Sequence, residues 1–253
     1  MEFKRKYIIE GLLSFVMTEN CNFLCDHCLR GEKRPNKITK EVIDEFLTQV
    51  DIRGRINLTG GEPLSNSKGA SYLLSQIYEL GNRPEEVKIV TNGSMPSRRL
   101  NEVVETMAEV GANPKIIVSN DPSHLDQREN LHNRIGSIES TMEEYREIMT
   151  NNGFDPNEHL LLMEFDANAL PKAIGRAANL EKTHPGWDNI SFSQWITQDR
   201  NIIYGRLQVQ PDGRITAGCD MSWDDRDKHY GEEYNILNHP LKRILKYGLK
   251  SES

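Results

Sequence analysis

The chain has 253 residues, 37% hydrophobic and 27% charged, with a formal net charge of -7, which suffices to bury one large α/β core and excludes both intrinsic disorder and a disulfide-stapled miniature. Lys and Arg are scattered rather than gathered into a basic run, so nothing marks a phosphate-backbone footprint and no nucleic-acid partner is expected. No apolar run approaches the roughly 18 to 20 residues of a membrane helix, and the start from Met1 to Lys6 is followed by only a brief apolar run, so no membrane contact is expected and the chain reads as cytoplasmic.

Short apolar runs alternate with longer amphipathic stretches, the mark of βα units around a parallel sheet. The first strand is expected at Leu12–Met17, followed by a cysteine-bearing loop and a helix over Lys40–Val50 capped by Thr39. Strands are expected at Arg55–Leu58, Glu86–Val90 and Lys115–Val118, with intervening helices over Lys68–Leu80 and Arg98–Val110 that stop at Gly81 and Gly111. Asp121 to Gly136 is polar and carries Pro122, His124, His132 and Arg134, which points to a long loop. A helix over Thr141–Thr150, a strand at His159–Phe165 and a sixth strand at Ile190–Trp195 complete the repeat. Beyond Thr197 the pattern changes: Tyr204–Gln210 and Arg214–Ala217 flank Pro211-Asp212-Gly213, a hairpin signal, and Leu241–Tyr247 reads as a closing helix.

Four cysteines occur, and three of them, Cys21, Cys25 and Cys28, fall within eight positions. Without a secretory signal, clustered thiols mark a metal site more often than a disulfide pair. Two sites suit them. Three thiolates can hold an iron–sulfur cluster that leaves one iron without a protein ligand, or they can join His27 around a structural zinc ion. The zinc reading has poor ligand spacing, because His27 and Cys28 are adjacent.

The spacing C-x3-C-x2-C resembles the hallmark of the radical S-adenosylmethionine (SAM) superfamily. The resemblance implies a 4Fe-4S cluster on Cys21, Cys25 and Cys28, with SAM chelated to the open iron and cleaved reductively to methionine and a 5′-deoxyadenosyl radical. It places His27, where members carry an aromatic residue, near the adenine. Thr59-Gly60-Gly61-Glu62-Pro63 resembles the family's GGE segment, which holds the amino group of SAM, so Gly60, Gly61, Glu62 and Pro63 are candidate cofactor contacts. Glycines there also let backbone approach a ligand closely. Thr91 and Asn92, ending the third strand, and Ser119 and Asn120, ending the fourth, resemble positions that touch the ribose or carboxylate of SAM; a turn cap is the alternative for Asn92. Ala173 to Ala177 resembles a glycine–arginine–alanine segment whose Arg176 would neutralise the SAM carboxylate, or would be a solvated helix arginine. Glu164 and Asp166 near the fifth strand are either inward carboxylates or surface charges.

Gln210 to Cys219 resembles the hairpin that opens SPASM or twitch extensions, but the further cysteines such extensions need are missing. For Cys219 three readings compete: a core thiol, a remnant of a lost cluster, or a hydrogen-atom donor in an epimerisation. Asp220, Asp224, Asp225 and Asp227 either greet a cationic substrate or form a solvated loop. The expectation is therefore an α/β fold, a partial (βα)6 parallel barrel over residues 8–197 with a small α+β extension over 198–253 that lacks an auxiliary cluster. The expected function is SAM-dependent hydrogen abstraction from a substrate, a peptide or a small molecule, leading to epimerisation or cross-linking. An electron donor such as flavodoxin or ferredoxin is then required. The competing class is a non-catalytic binding module stabilised by zinc or a cluster.

Overall fold

A computed structural model of the chain describes residues 6–163, 192–218 and 222–250. Its elements follow the expected alternation, with two short unexpected strands, β1 and β3, the latter taking Val50 from the expected first helix: β1 (Tyr7–Ile9), β2 (Leu12–Thr18), α1 (Lys40–Leu47), β3 (Val50–Ile52), β4 (Arg55–Gly60), α2 (Ser67–Glu79), β5 (Val87–Thr91), α3 (Ser97–Val110) and β6 (Pro114–Ser119). Next come α4 (Pro122–Asn130), α5 (His132–Ile135), α6 (Ile138–Asn151), α7 (Pro156–His159) and β7 (Leu160–Met163). The last part holds α8 (Phe192–Trp195), β8 (Ile196–Asp199), β9 (Ile202–Val209), β10 (Ile215–Ala217), α9 (Trp223–His229) and α10 (Leu241–Lys250). Strands β2, β4, β5, β6 and β7 pair in that order and all in parallel, forming the open sheet of a partial barrel.

The period of two along each strand decides which face is covered. Leu13, Phe15 and Met17 of β2, Ile56 and Leu58 of β4, Val87 and Ile89 of β5, and Ile116 and Val118 of β6 are buried in one cluster with Val42, Ile43 and Phe46 of α1 and the apolar faces of α2 and α3. Thr39 caps α1 as expected, its hydroxyl accepting from the Val42 amide. The alternate residues make the opposite face, where register aligns Gln208, Ser14, Asn57, Lys88 and Lys115 in one row. Among the described residues no helix is long and apolar enough to cross a membrane.

Three expectations are corrected. The segment from Asp121 is helical rather than a loop, because Asp121 caps α4 by accepting from the His124 amide and Pro122 takes the first-turn position that needs no N–H. Phe192 to Trp195, expected within a sixth strand, forms a helical turn: Phe192 is buried against Tyr230 and Tyr234, and a short apolar run does not distinguish strand from buried turn. The hairpin of β9 and β10 is antiparallel as expected, yet β9 is more than a hairpin arm, since it also runs parallel to β1 and β2 and fills the sheet position beside them.

That insertion depends on glycines. The registers of β3 with β1, β4 with β2, and both β1 and β2 with β9 put Gly54, Gly11 and Gly205 at one level on adjacent strands. A Cβ on Gly54 would come closer than 3.0 Å to the Gly11 carbonyl, one on Gly11 closer than 3.0 Å to the Gly205 carbonyl, and one on Gly205 closer than 3.0 Å to the Trp195 carbonyl. Each glycine thus makes room for the next backbone.

Candidate functional site

The cysteine loop starts and ends at the carboxyl end of β2. Thr18 pairs with Lys37 in an isolated bridge, its hydroxyl donates to the Asn36 carbonyl at 2.8 Å, and the Glu19 amide donates to the same carbonyl at 2.9 Å. Phe23, 1% exposed, and Cys25, 6% exposed, anchor the loop inward. The Cys28 amide donates to the Cys25 carbonyl at 3.1 Å, which closes a turn between those two cysteines, and none of Cys21, Cys25 and Cys28 is disulfide-bonded.

The glycine pair at the end of β4 lies against this loop. The Gly61 amide donates to the Thr18 carbonyl at 2.8 Å and the Glu62 amide to the Asn20 carbonyl at 2.9 Å. A Cβ on Gly60 or Gly61 would collide with those same carbonyls, and the one on Gly61 would also lie 3.1 Å from Cys21 Cβ. The absent side chains are what let β4 close on the cysteine loop.

Glu62 is fully buried and accepts three hydrogen bonds, from the Leu64 amide at 3.0 Å, the Thr91 hydroxyl at 2.8 Å and the Asn92 amide at 2.8 Å. Burial pushes its carboxyl up to about 7, against the three hydrogen bonds, which favour the anion. In this structure the carboxylate therefore ties the end of β4 to the end of β5, and the turn Pro63–Asn66 begins from it. Asn92 continues the network: its Nδ2 donates to Asn22 Oδ1 at 3.2 Å and lies 3.6 Å from Cys21 Sγ, while Ser94 hydrogen-bonds both asparagines. Arg128 of α4, 5% exposed, donates to the Asn92 carbonyl at 2.9 Å and fixes that turn from behind.

On the other side, Ser119 is 9% exposed at the end of β6 and the Asn120 amide donates to the Met163 carbonyl at 3.0 Å. Asp121 holds two imidazoles through one oxygen, His124 Nδ1 at 2.6 Å and His27 Nε2 at 3.3 Å. Burial alone would raise the Asp121 carboxyl, but the two histidines hold it well below the usual carboxylate range. Ligating atoms of these three residues lie within 4.8 Å of one another; hydrogen bonds account for the grouping without an ion. His27 Nδ1 is buried with no hydrogen-bond partner. An open thiol loop, two glycines pressed against it and this orphan nitrogen fit a cluster and a polar cofactor bound beside it.

The structure thus gathers Cys21, Cys25, Cys28, His27, Gly60, Gly61, Glu62, Pro63, Thr91, Asn92, Ser119 and Asn120 around the carboxyl ends of β2, β4, β5 and β6. Arg176, Glu164, Asp166 and Cys219 lie outside the described residues. Sequence reasoning missed Asn22, Ser94 and Arg128, whose roles depend on contacts 36 to 72 residues apart. It also missed the grip of the last part of the chain on the loop. Arg226 of α9, 2% exposed, pairs with the wholly buried Glu19, the Trp223 amide donates to the Arg30 carbonyl at 3.0 Å, and Arg34 reaches Asp224 and Asp227. Asp224 and Asp227 are spent on these internal pairs and Asp225 on capping α9 with Ser222, which accounts for them without a cationic substrate.

The sequence profile of the Radical SAM superfamily matches residues 15–163. GTP 3′,8-cyclases of Rhizobium etli (strain CIAT 652) and Rhizobium leguminosarum bv. trifolii (strain WSM2304) are each 34% identical over 96 residues, covering 35% of this chain and 27% of theirs, so the chain spans about a quarter of these curated relatives. The solved structure of native anSMEcpe with bound AdoMet and the Cp18Cys peptide has a similar fold, with a TM-score of 0.54 at 13% identity over 97% of this chain and 82% of that one. The chain belongs to the radical SAM superfamily, whose members use a 4Fe-4S cluster and S-adenosylmethionine.

Proposed function

We propose that the chain is a radical SAM enzyme that holds the 4Fe-4S cluster on Cys21, Cys25 and Cys28 and binds SAM along the carboxyl rim of the sheet. The observation that carries this reading is the close approach of Gly60 and Gly61 to Thr18, Asn20 and Cys21, which brings the backbone of the GGE segment to the ligand loop. When bound together, the cluster and SAM supply a 5′-deoxyadenosyl radical, with methionine as the co-product, for hydrogen abstraction from a substrate.

The chain's own residues position the participants. Carbonyls at Gly60 to Glu62 are the acceptors for the SAM ammonium. Pro63 stiffens the turn behind them. Thr91, Asn92, Ser119 and Asn120 present polar groups to the ribose and carboxylate, with Arg176 as the carboxylate's cationic partner. His27, braced by Asp121, faces the adenine. Peptide modification, by epimerisation or cross-linking, is the reading we favour for the substrate, supported by a fold shared with a protein solved with a peptide bound. In that reading Cys219 returns the hydrogen atom. Residues 198–253 form a twitch-like extension without an auxiliary cluster, supported by the β9–β10 hairpin and by a single cysteine in that range. A flavodoxin or ferredoxin supplies the electron, and the reducing cytoplasm suits three clustered thiols.

Anaerobic reconstitution with iron and sulfide followed by SAM and dithionite tests the reading. A brown protein that releases 5′-deoxyadenosine and methionine is expected. A colourless protein with stoichiometric zinc, or a brown one that leaves SAM intact, would overturn it.

A further inference from the structure

Behind the cysteine loop lies a cleft of about 430 Å³ between the amino ends of α2 and α3. Lys37, Lys68, Arg98 and Arg99 line it, and the one acid there, Glu102, accepts a hydrogen bond from the Ser67 hydroxyl at 2.6 Å. Arg99 is built in, donating to the Leu64 and Ser65 carbonyls at 3.2 and 2.8 Å. Lys37, Lys68 and Arg98 are exposed, and among the described residues they make no ion pair. Both helices, of 13 and 14 residues, begin without a side-chain cap, so their positive ends add to the same field. On a chain of net charge -7 this is a local reversal of sign.

The cleft is also near the expected cluster by construction. Lys37 pairs with Thr18, three residues before Cys21, and Thr18 and Cys21 can be at most about 11 Å apart along an extended chain. Asn66, on the opposite wall, donates to the Met17 carbonyl at 3.0 Å, and its segment follows the glycines that abut Cys21.

We propose that this cleft is the docking surface of a small acidic one-electron carrier protein. The inference rests on the radical SAM reading above, because that chemistry requires one electron from outside for each cleavage. The carrier is oxidised by one electron, the iron–sulfur site is reduced by one, and no atom or proton passes between them. Charge steering suits such a partner, since electron-transfer encounters are small, transient and driven by complementary fields.

The test uses the full chain, flavodoxin as the probe, and two variants, the double charge reversal Lys68→Glu with Arg98→Glu and the milder Lys68→Gln with Arg98→Gln. With dithionite, 5′-deoxyadenosine formation is expected to be unchanged in both variants. With enzymatically reduced flavodoxin it is expected to fall at least tenfold in the reversal and less in the neutral pair. Added salt should slow only the flavodoxin-driven reaction of the unaltered chain. Direct binding of flavodoxin at low salt should be lost in the reversal, a readout that stands even if SAM is not cleaved. Failure of dithionite to drive the unaltered chain would count against the function, whereas flavodoxin binding and flavodoxin-driven rates that ignore the charge reversal would overturn the docking surface. Inorganic phosphate at low millimolar concentration that stabilises the chain through the same residues without slowing flavodoxin would also overturn it, in favour of a small-anion site.

Discussion

Replacing Arg226 by Met should destabilise the chain by roughly 3 to 5 kcal/mol, the cost of leaving one member of a buried ion pair uncompensated. Glu19 is wholly buried, and without Arg226 its carboxylate keeps one hydrogen bond, from the Asn36 side-chain amide to the other oxygen at 2.7 Å, and the more distant charge of Arg34. Asp227 loses less, because Arg34 and Arg214 still reach it. For a chain of this size each kcal/mol moves the midpoint by about 2 to 4 °C, so a fall of roughly 6 to 20 °C is expected. Glu19 sits two residues before Cys21, so iron retained after reconstitution and gel filtration should fall as well. Combining Arg226→Met with Glu19→Gln removes the stranded charge, and a double-mutant cycle by thermal and urea denaturation should recover about 2 kcal/mol. A single variant that loses less than about 1 kcal/mol, the range of exposed pairs, would refute the reasoning that α9 clamps the cysteine loop through a dry ion pair.

Gly61→Ala should abolish cluster incorporation, measured as iron per chain, while leaving far-ultraviolet dichroism near that of the parent, because the added methyl meets the Asn20 carbonyl; a fully loaded alanine variant would contradict the close-approach argument. Glu62 should titrate near pH 7 in a carboxyl carbon-13 experiment; since its folded pKa is raised, its contribution to stability is present below the unfolded value of about 4.3 and is lost as pH rises through about 7, and a midpoint at or below 4.5 would show that the hydrogen bonds outweigh burial. Cys219→Ala should still release 5′-deoxyadenosine yet form no epimerised product, and product formation at the parental rate would remove the hydrogen-donor role.

The parallel core was legible because its signals are local. Alternation such as Val87-Lys88-Ile89-Val90 marks a strand covered on one face, and the glycines at 81 and 111 mark helix ends. The cysteine loop stood out for a different reason, since three thiols at fixed spacing have few structural uses. Asp121 was misread because Pro122 and the surrounding polarity suit a loop and a helix start equally, and only the geometry of its carboxylate decides. Hidden from the sequence was everything that depends on pairing at long range. Tyr204 to Gln210 reads as one arm of a hairpin, and nothing in its own residues says that the other edge of β9 belongs to β1 and β2, 190 residues or more earlier. The same holds for Glu62, whose burial is fixed by Thr91 and Asn92 rather than by its neighbours in the chain.

The placement of β9 bears on how the molecule can be dissected. A shortened version ending at residue 199 would strip the backbone of Leu12 to Phe15 and of Ile8 and Ile9 of its hydrogen-bonding neighbour and present that row as a raw edge, the kind on which chains stack into aggregates. The final fifth of the protein is thus a staple within the sheet, and engineering that treats it as a detachable module will recover inclusion bodies in place of a folded core.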